Sequence, residues 1–97
     1  MDRNEYDGFE WDADKSALAE AKWGFDFDFA ALVFEKAHVE RPSRGKHNEA
    51  RFVTTGEVDG YMISVVWTPR DRIRRIITAF PSGAGDTRSY NDHCKAN

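Results

Sequence analysis

The sequence predicts a single α+β domain over residues 1–97. A short N-terminal strand and two helices pack on a three- to four-stranded antiparallel sheet, and a C-terminal helix follows. Three observations carry this. Two β-branched and aromatic runs between Asn48 and Ala79 meet at Asp59-Gly60, a strong hairpin signal because a type I′ turn needs positive φ at both central residues. A third such run follows Pro69-Arg70-Asp71. Ahead of the sheet, Phe27, Ala30, Ala31 and Phe34 recur at i, i+3, i+4 and i+7, the spacing of one helical face.

Composition fits a domain with its own core: 40% hydrophobic and 13% aromatic residues in 97. A chain of this length buries roughly two-thirds of its unfolded surface. The one cysteine, Cys94, rules out an internal disulfide and fits a reducing compartment. No metal is expected, since Cys94, His38, His47 and His93 lack ligand spacing. No apolar run approaches the ~20 residues of a membrane span. The opening MDRNEYDG has no apolar signal region, so a cytoplasmic location is expected. The net charge of −3 hides an asymmetry. Residues 1–40 carry eleven acidic and four basic side chains; residues 41–97 carry six acidic and ten basic. This suggests an acidic helical layer beside a basic sheet, either for stability or as a binding face.

In chain order, Met1 to Gly8 reads as a polar tail and Phe9-Glu10-Trp11 as a short edge strand or anchor. Asp12 is a suitable N-cap for a helix over Ala13–Trp23, and Gly24 a suitable left-handed C-terminal residue. Ala17, Leu18, Ala21 and Trp23 are expected to face inward, with Lys15 and Lys22 pointing elsewhere. Asp26 or Asp28 caps a second helix, Phe27 to Lys36. His38-Val39-Glu40 starts a strand, and residues 41–46 form an exposed, mobile basic loop. Residues 80–85 read as a flexible connection, and Asp86 as the cap of a terminal helix, Thr87 to Lys95.

A two-residue Asp59-Gly60 loop sets Val58 opposite Tyr61, Phe52 opposite Trp67 and Arg51 opposite Thr68. Period-two alternation then sorts the faces. Phe52, Thr54, Val58, Tyr61, Ile63, Val65 and Trp67 form the core face. Arg51, Val53, Thr55, Glu57, Met62, Ser64, Val66 and Thr68 form the other. A tight turn at Arg70-Asp71 sets Arg75 opposite Val66, on the face of Arg51.

Several islands resemble one known family. Phe9-Glu10-Trp11-Asp12 with Lys15, Lys22-Trp23-Gly24-Phe25, Val33-Phe34, Glu49-Ala50-Arg51-Phe52 with Thr55-Gly56, Val65-Val66-Trp67-Thr68, and Arg75-Ile76-Ile77-Thr78-Ala79 resemble, in order, the motifs of BrnT ribonuclease toxins. Tyr90 sits where that family has a tyrosine in its last helix. Trp23 stands where the family commonly has histidine, and Phe80 where it commonly has arginine. The resemblance implies a RelE-like toxin fold and metal-free RNA cleavage without a cofactor. It also implies neutralisation by a small ribbon-helix-helix antitoxin, whose complex with the toxin binds operator DNA.

Metal-free cleavage uses the substrate's 2′-hydroxyl as nucleophile and needs a base, an acid and cations for the charge that builds on the phosphate. Arg51 and Arg75 are candidates for the charge, with Lys22 as a third cation. Glu49 is a candidate base, or the residue that holds Arg51. His47 is a candidate acid, titrating near neutral pH. Arg72 and Arg74, with Arg70 and Arg75 in one arginine-rich run, are candidates for RNA phosphates or for acidic groups of the antitoxin, and Tyr90 is a further RNA-binding candidate. Plainer readings stand beside these: exposed strand arginines protect edges, and Glu49–Arg51 is a surface pair worth little. The competing function is a non-catalytic, toxin-like module that binds an antitoxin for operon control.

Overall fold

The computed structural model describes residues 6–44 and 48–95. The chain runs β1 (Gly8–Glu10), α1 (Ala13–Trp23), α2 (Phe27–Ala30) continued by a 3-10 helix (Ala31–Glu35), and β2 (His38–Pro42). It then runs β3 (Phe52–Val58), β4 (Tyr61–Arg70), β5 (Ile73–Pro81), α3 (Ala84–Tyr90) and a terminal π-helical turn (Asn91–Lys95). The architecture is α+β as expected, but the sheet has five strands in the order β1-β5-β4-β3-β2. The extra strands come from the two short segments. β2 pairs antiparallel with β3, and β1 pairs parallel with β5, setting Gly8, Phe9 and Glu10 against Ile73, Arg74 and Arg75. A three-residue strand carries no sign of its partner, because that pairing spans more than sixty residues.

The central hairpin forms as its turn dictates. Asp59 and Gly60 take φ of 48° and 88°, and the ladder runs from Val58–Tyr61 to Phe52–Trp67. The second turn falls one residue later than expected. Asp71 takes φ 55° and Arg70 still pairs with Ile73, so Arg75 lies opposite Thr68 rather than Val66. Moving the turn by one residue shifts the register by two, so Arg75 keeps its face. Further along, an irregularity between Val66 and Trp67 leaves Ile77 as the extra residue of β5, a bulge.

One face of the sheet is the core. Thr54, Val58, Ile63, Val65 and Trp67 are buried there with Phe25, Phe27, Ala30, Val33 and Ile76. Full burial of one such aliphatic or aromatic side chain contributes about 1.5–3 kcal/mol. Gly56 permits the close approach of the 3-10 helix: a Cβ there would lie 3.2 Å from both the Ala37 carbonyl oxygen and Val33 Cβ. Asp26 caps α2 by accepting from Phe29 N, and Asp12 caps α1 by accepting from the amides of Asp14 and Lys15. Gly24 ends α1 at φ 89°.

Helix α1 is rotated from the expected orientation. Ser16 and Ala19 are its buried residues, while Ala17 and Ala21 are exposed, Leu18 is 69% exposed and Trp23 38%. The cause is a hydrogen bond: Phe27 N donates to the buried Ser16 Oγ at 3.0 Å, satisfying an amide at the start of α2. Small Ser16 and Ala19 let α1 sit close to its neighbours, and α1 packs on β5.

The C-terminal segment also differs. β5 extends through Pro81 and α3 begins at Ala84, so the expected 80–85 connection shrinks to two residues. Gly83, not Asp86, takes the N-cap position. Asp86 lies in the first turn of α3, where its carboxylate is bound to Arg41 and Ser64. Arg41 and Pro42, expected in a loop, end β2, and Gly45 to His47 lie outside the described residues.

Candidate functional site

The second face of the sheet is polar, and its two ends are built differently. Towards the β3–β4 turn it is covered. Val53, Thr55 and Ser64 are buried, and Tyr90 of α3 is only 7% exposed. A chain of hydroxyls runs beneath: Thr55 and Ser64 share a hydrogen bond at 2.8 Å, Ser64 and Ser82 another at 2.8 Å, and Ser64 Oγ donates to Asp86 at 3.3 Å. Arg41 Nε and Nη2 donate to the two oxygens of Asp86 at 2.8 and 3.1 Å. The Arg41 guanidinium holds the Asp86 carboxyl below its ordinary pKa of 3.8, and Asp86 raises that of Arg41 in return. A cleft of about 410 Å³ opens here between β2 and α3, lined by Arg41, Arg44, Thr55 and Asp86 among others.

At the other end the same face carries the arginines. The β3–β4 ladder, continued by one residue, brings Arg51 opposite Thr68, and Thr68 pairs with Arg75 on its other side. Thr68 Oγ1 donates to the Ala50 carbonyl at 2.6 Å, and Ser43 N donates to the Arg51 carbonyl at 2.8 Å, so the backbone around Arg51 is held from both sides. With strands about 4.8 Å apart, the Arg51 and Arg75 backbones lie about 10 Å apart. Glu49 bridges two cations: its Oε2 lies 3.3 Å from Arg51 and its Oε1 3.5 Å from Arg70 Nη2. Arg75 Nη1 donates to Glu10 Oε2 at 3.2 Å, across the β1–β5 ladder.

The structure thus brings Glu49, Arg51, Arg75 and Arg70 of the arginine-rich run to one end of one face, and adds Thr68 and Glu10, to which sequence reasoning gave no role. Glu10 was hidden because its partner strand is remote in sequence. The remaining candidates lie elsewhere. Lys22 is on α1, over the opposite face, with its ammonium 4.8 Å from the Trp23 ring. Arg72 is at the β4–β5 turn, where its Nε donates to Asp7 at 2.8 Å and lowers the Asp7 pKa. Tyr90 is buried, and His47 lies outside the described residues.

Arg74 has a fate of its own. It projects to the core face, opposite Pro69 and Phe9. Its guanidinium carbon lies 4.3 Å from the Phe34 ring centroid, 4.4 Å from Tyr6 and 5.1 Å from Trp67. Desolvation lowers its pKa from the usual arginine value, partly offset by the field of Glu40. Trp67, the centre of this cluster, donates from Nε1 to Thr54 Oγ1 at 2.8 Å, and Thr54 Oγ1 donates to Glu40 at 2.8 Å. Tyr61 packs edge-on against Phe25 and Phe29. Trp67 is thus buried on the helix-covered side, while Tyr61 stays 46% exposed.

The row Arg51–Thr68–Arg75 joins the Glu-x-Arg-aromatic and Arg-Ile-Ile-Thr-Ala segments, the same islands on which the resemblance rests. The model of the ribonuclease toxin BrnT, of type II toxin–antitoxin systems, matches residues 11–82, about three-quarters of the chain. This chain belongs to the BrnT family. BrnT toxins are ribonucleases paired with an antitoxin, so RNA is the target class and an antitoxin the partner class. A comparison with curated proteins gives no match. The match covers β2 to β5 and both N-terminal helices, and stops before α3. No described helix is long and apolar enough to cross a membrane.

Proposed function

We propose that this BrnT-family chain cleaves RNA without a metal ion, at the arginine end of its polar face. The substrate's 2′-hydroxyl loses its proton and attacks the adjacent phosphorus. The bond to the 5′-oxygen breaks, that oxygen takes up a proton, and the products are a 2′,3′-cyclic phosphate and a 5′-hydroxyl. Arg51 and Arg75 offer fixed cationic donors to the non-bridging oxygens where charge builds. Glu49, between Arg51 and Arg70, serves as the base or as the group that aims Arg51, and His47 is the proposed acid. The reading rests on one observation: Arg51 and Arg75 flank Thr68 on one face, with Glu49 beside them. We propose further that a small ribbon-helix-helix antitoxin neutralises the toxin in the cytoplasm, and that their complex binds operator DNA.

Incubation with RNA in excess chelator tests this. Wild-type protein is expected to yield 2′,3′-cyclic phosphate ends. Removing one such charge-stabilising donor costs roughly 10²–10³ in rate, so Arg51→Ala should fall by that factor while staying folded. Equal cleavage by Arg51→Ala would refute the site.

A second reading draws on the carboxylates, since Arg51 and Arg75 are each engaged by an acidic side chain. A module that only binds its antitoxin would keep these pairs intact. It predicts a stable complex with no RNA turnover by wild-type protein, with or without added metal.

A further inference from the structure

Three large apolar side chains are exposed among the described residues, Leu18, Trp23 and Tyr61, and two of them line one groove. The groove, about 320 Å³, lies between α1 and β5. Leu18, Trp23 and Ala19 form its helical wall, and Ile77 and Thr78 its sheet wall. It is rimmed by two lysines, Lys15 and Lys22, and no acidic residue lines it. Its floor is an unused strand edge. β1 covers β5 only from Ile73 to Arg75, so among the described residues Ile76 to Pro81 has a strand neighbour on the β4 side alone. The bulge turns Ile77 out of register at the point where this edge begins.

Each feature has a cost when left in water. Leu18 at 69% exposure and Trp23 at 38% keep apolar surface hydrated. An open strand edge offers unpaired amides and carbonyls to any extended chain, and soluble proteins usually blunt such edges. Here apolar anchors stand next to the edge instead. An extended segment laid along β5 would gain main-chain hydrogen bonds from the edge and specificity from side-chain pockets on alternate residues, the strand-addition mode of recognition. The two lysines select the charge of that segment.

We propose that the α1–β5 groove is the docking surface for the antitoxin. An acidic segment with apolar anchors pairs with the open edge of β5 between Ile77 and Phe80. Its apolar side chains cover Leu18 and Trp23, and its carboxylates meet Lys15 and Lys22. This rests on the toxin reading above, which supplies the partner; the groove supplies the place and chemistry of contact. It also puts the antitoxin on the face of the sheet opposite Arg51 and Arg75. Inhibition would then come from the body of the bound antitoxin reaching around the sheet edge, not from this segment filling the RNA site.

The test uses the full-length toxin with the antitoxin encoded beside it, co-purified as a complex. Amide exchange at Ile77 to Phe80 is expected to slow on complex formation, and Leu18→Glu is expected to weaken binding at least tenfold. Lys15→Glu should weaken it less, with the loss shrinking at high salt. Leu18→Glu and Lys15→Glu lie outside the proposed cleavage site, so the free variants should cleave RNA as wild type does, while Leu18→Glu escapes inhibition. A wild-type toxin that binds no antitoxin would remove both the toxin reading and the docking surface. A wild type that binds, with unchanged affinity in Leu18→Glu and unslowed exchange at Ile77 to Phe80, would overturn the docking surface alone. Slowing of those amides by an RNA oligonucleotide and not by the antitoxin would overturn it too.

Discussion

Arg74 and Arg75 are neighbours in sequence, and the two faces of the sheet give them opposite surroundings. Arg74 lies among Tyr6, Phe34 and Trp67 on the side that α1 and α2 cover. Arg75 lies beside Thr68 and Glu10 on the side that carries Arg51. Strand alternation alone separates them. The first face turns even a cation into part of the packing, where cation–π contacts contribute on the order of 0.5–2 kcal/mol. The second leaves its cations on weak ion pairs, since exposed pairs are worth about 0–1 kcal/mol. Charge count in the arginine run therefore says little about the surroundings of each arginine; face decides those.

The largest expected effect lies on the packed face. Trp67→Ala removes a buried ring, its contacts with Tyr6, Phe34 and Phe52, and its hydrogen bond to Thr54. A loss of about 3–5 kcal/mol is expected for such a truncation, read from urea unfolding. Gly56→Ala comes next. Its methyl group would press on the Ala37 carbonyl and Val33 Cβ at 3.2 Å, and overpacking of this kind costs about 1–3 kcal/mol. A variant as stable as wild type would mean the 3-10 helix stands further from β3 than described.

The polar face predicts smaller effects on stability. Asp86→Asn should cost about 1 kcal/mol, because the Arg41 side of the pair is partly exposed. Its pH dependence is signed. The folded-state pKa of Asp86 is depressed below 3.8, so the pair's contribution is complete above that pH and fades as pH falls through the folded value. The stability gap between wild type and Asp86→Asn should therefore be constant near neutral pH and close below about pH 4. A gap that widened in acid would contradict the Arg41–Asp86 assignment. Leu18→Gln should change stability by less than about 0.5 kcal/mol, because 69% of Leu18 is already in water. A larger loss would return Leu18 to the core.

The sequence makes plain what local rules govern. The Asp59-Gly60 turn fixed the hairpin register, and with it the core face and the face of Arg51. The face of Arg75 survived even though its turn moved, because moving a turn by one residue shifts pairing by two. What escaped depends on distant partners or on single polar contacts. The parallel pairing of β1 with β5 brings Glu10 to Arg75 across 65 residues. The orientation of α1 was set by Ser16, whose hydroxyl takes the Phe27 amide, and not by its few apolar residues. Asp86, a plausible helix cap by position, instead serves Arg41 on another strand. The candidate site was visible as Glu49, Arg51 and Arg75 with Arg70 in the arginine-rich run, while the place of Glu10 beside Arg75 needed the folded sheet.

The contrast between the two arginines is tested most directly by measuring RNA cleavage and urea unfolding together for Arg74→Ala and Arg75→Ala. If face decides function, Arg75→Ala loses cleavage by roughly 10²–10³ with stability nearly unchanged. Arg74→Ala then loses stability while each folded molecule still cleaves. The reverse pattern, with cleavage lost in a stable Arg74→Ala and kept in Arg75→Ala, would contradict the placement of the active site on the polar face.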